Sequence, residues 1–225
     1  MRKIDKKQPP ASFVTYVKSS NVLDPTYKPT FEDLDATVRK DLQNCLLNEQ
    51  GGICGYCQQK ITSLSRMKIE HHCEQSICNG ENGSTDKTLD YTNLMGVCMG
   101  IGGKKELHCD TKKSQFNNTN GLPIKISPWN KAHMGSVSYA STGNINSSNS
   151  VFQKEIDNIL SLNTKYLKDL REQKYRKIFS TSNHKQPATF KAKMKKILEH
   201  DLENNGSRFS NNFPGMSEYM LNKFC

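Results

Sequence analysis

Cys54-Gly55-Tyr56-Cys57 is a C-x2-C knuckle, the spacing at which two thiolates on one tight turn share a tetrahedral metal ion. A second pair must complete such a site, and the pair that suits it is Cys98 and Cys109. The segment 99–108, with Gly100, Gly102 and Gly103, then has to loop out between them. Cys73, Cys78 and His108 stand in reserve, with His108 either a zinc ligand or a group that contacts one. A redox C-x2-C is the competing reading, but that motif usually opens a helix in a βαβ context, which this sequence lacks.

Outward from the knuckle, residues 53 to about 116 hold Gly, Cys, His and short apolar pieces without long periodicity, as in a module where an ion replaces part of the core. Upstream, Leu34, Val38, Leu42, Cys45 and Leu46 recur at helical spacing, with Thr30 and Asp33 as a capping-box variant and Gly51-Gly52 as the stop. Before them, Pro9, Pro10, Pro25 and Pro29 favour an extended arm over a helix, packed on a partner or on the core. Downstream, a Ser, Asn and Gly-rich stretch ending in Ser147-Ser148-Asn149-Ser150 reads as a loop or linker. Two apolar stripes follow: Phe152, Ile156, Ile159, Leu160, Leu167 and Leu170, then Phe190, Met194, Ile197, Leu198 and Leu202, ending at Asn204-Asn205-Gly206. The expected organisation is an N-terminal arm and helix (1–50), a metal-organised core (51–120), a loop or linker (121–150) and a basic helical region (151–225).

The 225 residues carry a net charge of +10 and only 34% hydrophobic residues, with a mean hydropathy of -0.74, so the core is thin and gains from a bound metal or a partner. The charge points to a polyanion or to a solvated lysine surface. Between Lys165 and His200, eleven Lys or Arg face three Asp or Glu, and the same two readings apply there. No apolar run approaches the roughly 18 residues that cross a bilayer, and no apolar stretch follows Met1-Arg2-Lys3-Ile4, so the expected location is cytoplasmic, without a membrane. In a reducing compartment the eight cysteines are expected to bind metal rather than to form disulfides.

Between the cysteine pairs, Met67-Lys68-Ile69-Glu70-His71-His72 is a short strand that ends in a carboxylate and two imidazoles. Tyr91-Thr92-Asn93-Leu94 follows, and after the last cysteine comes Asp110-Thr111-Lys112-Lys113. Hydrolysis of a phosphodiester needs an activated water, an ion that neutralises charge on the phosphate and leaving oxygen, and a rigid frame for both. Histidine, with an ordinary pKa of about 6.5, suits the first task.

Acid-His, then Asn-Leu, then Cys-Asp-x-x-Lys, framed by paired cysteines, resembles the HNH nucleases. The resemblance implies an α+β fold: a ββα-metal (HNH) core stapled by a structural zinc, with an N-terminal extended arm and helix and a C-terminal helical region. It makes His71 the general base, Glu70 and Asp110 ligands of a catalytic divalent ion such as Mg2+, and Asn93 the residue that fixes the loop and so the imidazole. Lys113 matches a lysine able to reach a phosphate; a solvated helix lysine is the alternative. Because His72-Cys73-Glu74 replaces the apolar residue and proline usual after the acid-His pair, a register with His71 as ligand and His72 as base also stays open. The Cys98 to Cys109 spacing is longer than the usual two residues.

The order of features over residues 1 to about 116, including Leu46-Leu47-Asn48-Glu49-Gln50-Gly51 leading into the knuckle, is similar to the PtuB-type HNH subunits of Septu antiphage systems and their retron-linked versions. That resemblance implies a nuclease acting beside a PtuA-type ABC ATPase, with retron reverse transcriptase and msDNA as further partners, and DNA or RNA, tRNA included, as substrate. The arm and the basic helices are then the expected docking surfaces. A stand-alone restriction-type HNH endonuclease and a zinc-stabilised binding module without activity are the alternatives.

Overall fold

The computed structural model describes residues 1–19, 27–81, 84–120, 123–180, 187–205, 208–209 and 211–225. Pro25 of the arm, the start of the expected linker at 121–122, and Gly206 lie outside the described residues. The fold is mixed α+β, and its described strands pair into two-stranded antiparallel ribbons.

Residues 1–10 run without regular structure, but Met1 and Ile4 are buried and the Ile4 N–H donates to the Pro128 carbonyl. A helix, α1 (Ala11–Val17), then departs from the expected extended arm. Pro10 takes its N-cap position, where an extended φ/ψ is required, and buried Phe13 anchors the helix against Tyr91. The arm therefore packs on the chain's own core, and its exposure, which motivated the docking expectation, is lost at Met1, Ile4 and Phe13.

Helix α2 (Ala36–Glu49) starts later than expected, because Asp35 rather than Thr30 caps it: its Oδ1 accepts from the N–H groups of Thr37 and Val38. Thr30 and Asp33 hydrogen-bond each other in the bend before it. Val38, Leu42, Leu46 and Leu47 form its buried face. Just past its end, the buried Gln50 side chain accepts from Gly96 N and donates to Gly96 O and Ile53 O, tying the helix to the knuckle and to the next ribbon.

That ribbon is β1 (Met67–His71) against β2 (Leu94–Cys98), in a register that sets Glu70 opposite Met95 and His71 opposite Leu94. Helix α3 (Cys109–Asn120) follows and packs on β2.

The expected linker is folded. It contains α4 (Lys131–Gly135) and a hairpin of β3 (Val137–Tyr139) and β4 (Ile145–Ser147), and leads into α5 (Ser150–Lys154). Asn130 and Asn149 act as N-caps, each side chain accepting two backbone N–H bonds, and Gly143 (φ +77°) makes the hairpin turn. A π turn at Glu155–Ile159 breaks the first apolar stripe before α6 (Lys165–Ser180). Then come α7 (Pro187–Leu202), the short pair β5 (Asn204–Asn205) and β6 (Arg208–Phe209), and α8 (Pro214–Phe224). Buried residues from all four expected regions, from Met1 to Met220, join one hydrophobic core. Among the described residues no helix is long and apolar enough to cross a membrane.

Candidate functional site

The knuckle is shaped by backbone bonds: Cys54 N–H donates to Gln59 O, Gln58 N–H to Cys54 O, and Gly55 N–H to Gly96 O, with Gln58 left-handed at φ 64°. Cys98 ends β2 and Cys109 begins α3, and the segment between them loops out as expected, closed by His108 N–H on Gly100 O and Gly102 N–H on Glu106 O. The sulfurs of Cys54, Cys57, Cys98 and Cys109 all lie within 4.8 Å of one another, with separations of 3.8 Å (Cys54 to Cys109), 3.7 Å (Cys57 to Cys98) and 3.9 Å (Cys98 to Cys109). A tetrahedron with metal–sulfur bonds of about 2.3 Å has edges of about 3.8 Å, so the four thiols fit a zinc-sized ion.

Burial pushes the thiols of Cys57 and Cys109 up, whereas hydrogen bonds from Cys109, Cys54 and Cys57 hold Cys98 far below the thiol range. A cation bound among them would favour the thiolate form of all four sulfurs, against the burial that opposes it. His108, 1% exposed, places Nδ1 3.1 Å from the Cys109 sulfur, so it contacts a ligand rather than replacing one. Cys73 and Cys78 are not reserve ligands: they form a disulfide, contrary to the expectation for a reducing compartment. The turn in which the N–H groups of Ile77 and Cys78 both donate to Glu74 O brings the two together.

The two-residue period of β1 sends Lys68 and Glu70 to one face and His71 to the other. On the first face, Asp110 and Lys113, one turn apart on α3, meet them. The carboxyl groups of Glu70 and Asp110 are close enough to shift each other's proton affinity. Glu70 Oε1 accepts from Lys113 Nζ at 2.5 Å and from the Tyr56 hydroxyl at 3.0 Å; Lys68 Nζ lies 3.0 Å from Asp110 Oδ2. Burial pushes Glu70 up to about 8, with Lys113 opposing and Asp110 reinforcing the rise. Burial works against Asp110 too, but its bonds from Glu70 and Lys68 hold it below the usual carboxylate range. Burial and the neighbouring Asp110 thus favour a proton on Glu70, and the Lys113 ammonium opposes it.

Lys113 takes neither expected role. It is fully buried, and besides Glu70 its ammonium donates to the carbonyls of His71 (2.9 Å) and His72 (3.0 Å), with Glu74 3.6 Å away. A group so committed is a strut of the site rather than a solvated lysine or an outward phosphate contact.

On the opposite face, the His71 ring stands edge-on to Phe31 and its Nε2 lies 2.9 Å from the Thr88 carbonyl. A carbonyl only accepts, so Nε2 carries the proton and Nδ1 is the basic atom of the neutral ring. Burial holds the imidazole below its ordinary pKa, against the Thr88 bond. Asn93 accepts from Cys73 N–H (2.8 Å) and donates to the carbonyls of Cys73 (2.9 Å) and Lys87 (3.1 Å), so it clamps the loop whose next residue, Thr88, holds His71. His72 is committed elsewhere: Nε2 meets Ile126 O at 3.0 Å, the ring packs on Trp129, and burial drives its pKa to about 4.

Among the described residues, the four cysteines are the one group of three or more Cys, His, Asp or Glu donors close enough to hold an ion. Glu70 and Asp110 are brought together; His71 does not join them as a third ligand. Lys68 and Tyr56 escaped the sequence reading, although the alternation that places Glu70 inward also places Lys68 there; Tyr56 had no such signal. No protein-family model and no curated protein matches this chain.

Proposed function

We propose that the chain is a metal-dependent phosphodiesterase of the HNH type, with structural zinc at Cys54, Cys57, Cys98 and Cys109 and a hydrolytic divalent ion at Glu70 and Asp110. The observation that carries this reading is the meeting of Glu70 from β1 with Asp110 from α3, one residue past a cysteine of the metal-binding cluster. Two adjacent carboxyls suit a hard ion that completes its shell with water and phosphate oxygens. Bound there, Mg2+ or a similar ion would neutralise charge on the scissile phosphate and the leaving oxygen.

The chain's own groups do the rest. Lys113 fixes the Glu70 carboxylate and the backbone of His71 and His72 together, so strand and helix move as one. The role of general base for His71 comes from the resemblance: Thr88 holds its imidazole, on the opposite face of β1 from Glu70, in the tautomer whose Nδ1 can accept a proton, and Asn93 positions Thr88 through its clamp. The depressed pKa of His71 keeps it unprotonated at neutral pH. The resemblance to PtuB-type subunits extends the proposal to an antiphage effector working beside a PtuA-type ATPase, on DNA or RNA, with retron components as partners in a retron-linked setting.

His71→Ala, assayed with Mg2+ on DNA and tRNA, with and without the ATPase, is expected to cut at least about 100-fold more slowly while keeping its zinc, as removal of a general base does. Wild-type rates in a folded, zinc-loaded variant would overturn the assignment. One observation favours a second reading, a zinc-stabilised binding module: no third donor of the kinds named joins Glu70 and Asp110 among the described residues. Tight nucleic-acid binding without cleavage under any divalent ion would select it.

A further inference from the structure

Cys73 follows the His71-His72 pair directly and is joined as a disulfide to Cys78; both are only half-buried, so a small thiol can reach them. Their backbone leads straight to the imidazole. The Asn93 side chain holds both the N–H and the carbonyl of Cys73 and also donates to Lys87 O. Lys87 N–H in turn donates to Cys78 O at 2.9 Å. The disulfide therefore closes a ring through Cys73, Cys78, Lys87 and Asn93. Thr88, the next residue, presents its carbonyl to His71 Nε2, and Glu74, inside the bridged turn, faces the ammonium of Lys113.

The geometry points to a thiol-exchange site: we propose that opening and closing Cys73–Cys78 releases and restores the grip of Thr88 on the His71 imidazole. The partner is a dithiol reductant or, in the reverse direction, a low-molecular-weight disulfide. One thiolate of the dithiol attacks a sulfur of the bridge to form a mixed disulfide, and its second thiol resolves it. Cys73 and Cys78 gain two electrons and two protons, and the reductant leaves as its own disulfide. Cys54, Cys57, Cys98 and Cys109 are set apart from this chemistry when their sulfurs are bound to metal. His71 enters through its tautomer, so Cys73 and Cys78 act as positioning residues. Their effect on cleavage rests on the nuclease reading; their effect on the imidazole does not.

The test uses the full chain with zinc content monitored. Alkylation without reductant and peptide mapping is expected to leave Cys73 and Cys78 linked and unlabelled, while exposed Cys225 reacts. Nitrogen-15 NMR of the histidines is expected to show His71 as a single Nε2-protonated tautomer, changing to a mixture with dithiothreitol at unchanged zinc. The double variant Cys73→Ser/Cys78→Ser is expected to show that mixture without reductant, and cleavage to fall about tenfold or more in both. Labelling of Cys73 and Cys78 without reductant, or a His71 tautomer indifferent to reduction and to the double variant, overturns the proposal. A tautomer that responds in a chain that cleaves in neither state upholds the exchange site and overturns the nuclease reading instead.

Discussion

Glu70→Gln is the most informative single change, because glutamine keeps the shape of the protonated side chain and cannot titrate. The carboxyl of Glu70 is pushed up from its ordinary 4.5 to about 8, chiefly by burial, so between those values the folded chain holds a proton that the unfolded chain has released. The sign follows: stability from this group is fully present below about pH 4.5 and is lost as pH rises through 8. The whole loss is about 5 kcal/mol, with a slope of about 1.4 kcal/mol per pH unit. Urea denaturation of both proteins, zinc-loaded and without added Mg2+, should therefore show Glu70→Gln gaining on the wild type by about 3 kcal/mol between pH 5.5 and 7.5. Parallel curves would refute the reasoning. A gap closing with pH would do so more sharply, since it would mean that Lys113 stabilises an ionised Glu70.

Cobalt substituted into the cysteine cluster should give the intense sulfur-to-metal absorption of a tetrathiolate at one ion per chain, and Cys54→Ser should weaken it and loosen metal retention; full retention in that variant would remove Cys54 from the ligand set. Gly100→Ala should destabilise the chain by about 2 kcal/mol or more in thermal or urea unfolding, because Gly100 sits at φ +67° and a Cβ there would lie 2.3 Å from the His108 carbonyl oxygen. A neutral effect would mean that the loop between Cys98 and Cys109 adopts another backbone.

Sequence spacing is informative where chemistry is local. Two cysteines separated by two residues can serve one ion wherever the chain goes next, and alternation along Met67-Lys68-Ile69-Glu70-His71 settles which side chains share a face. It is silent where tertiary contacts decide. Lys113 sits beside Lys112 and reads as a solvated pair, yet one side chain spans the core because Asp110 aims that face of α3 at β1. Ser, Asn and Gly serve linkers and caps alike, so Asn130, Gly143 and Asn149 read as flexible chain when each closes a defined turn or helix end. Prolines at 9 and 10 argue against a helix by composition, yet a proline just ahead of a helix is compatible with starting one, as Pro10 does for α1. Compartment argues against a Cys73–Cys78 bridge, but the turn around Glu74 that joins them is a short-range geometric fact with no composition signal.

The cysteine knuckle is roofed by chain from far downstream: Leu160 O receives Cys109 N–H, Gln58 O receives Phe213 N–H, and Gln58 Oε1 receives Gly215 N–H. A ribosome delivers these partners after the cysteines, at about 5–20 residues per second. For several seconds of synthesis the thiols stand partly open, ready to be loaded, while the assembly around them is still incomplete. The cysteine site thus reaches its final enclosure only once residues as far downstream as Gly215 have been made and have folded back on it.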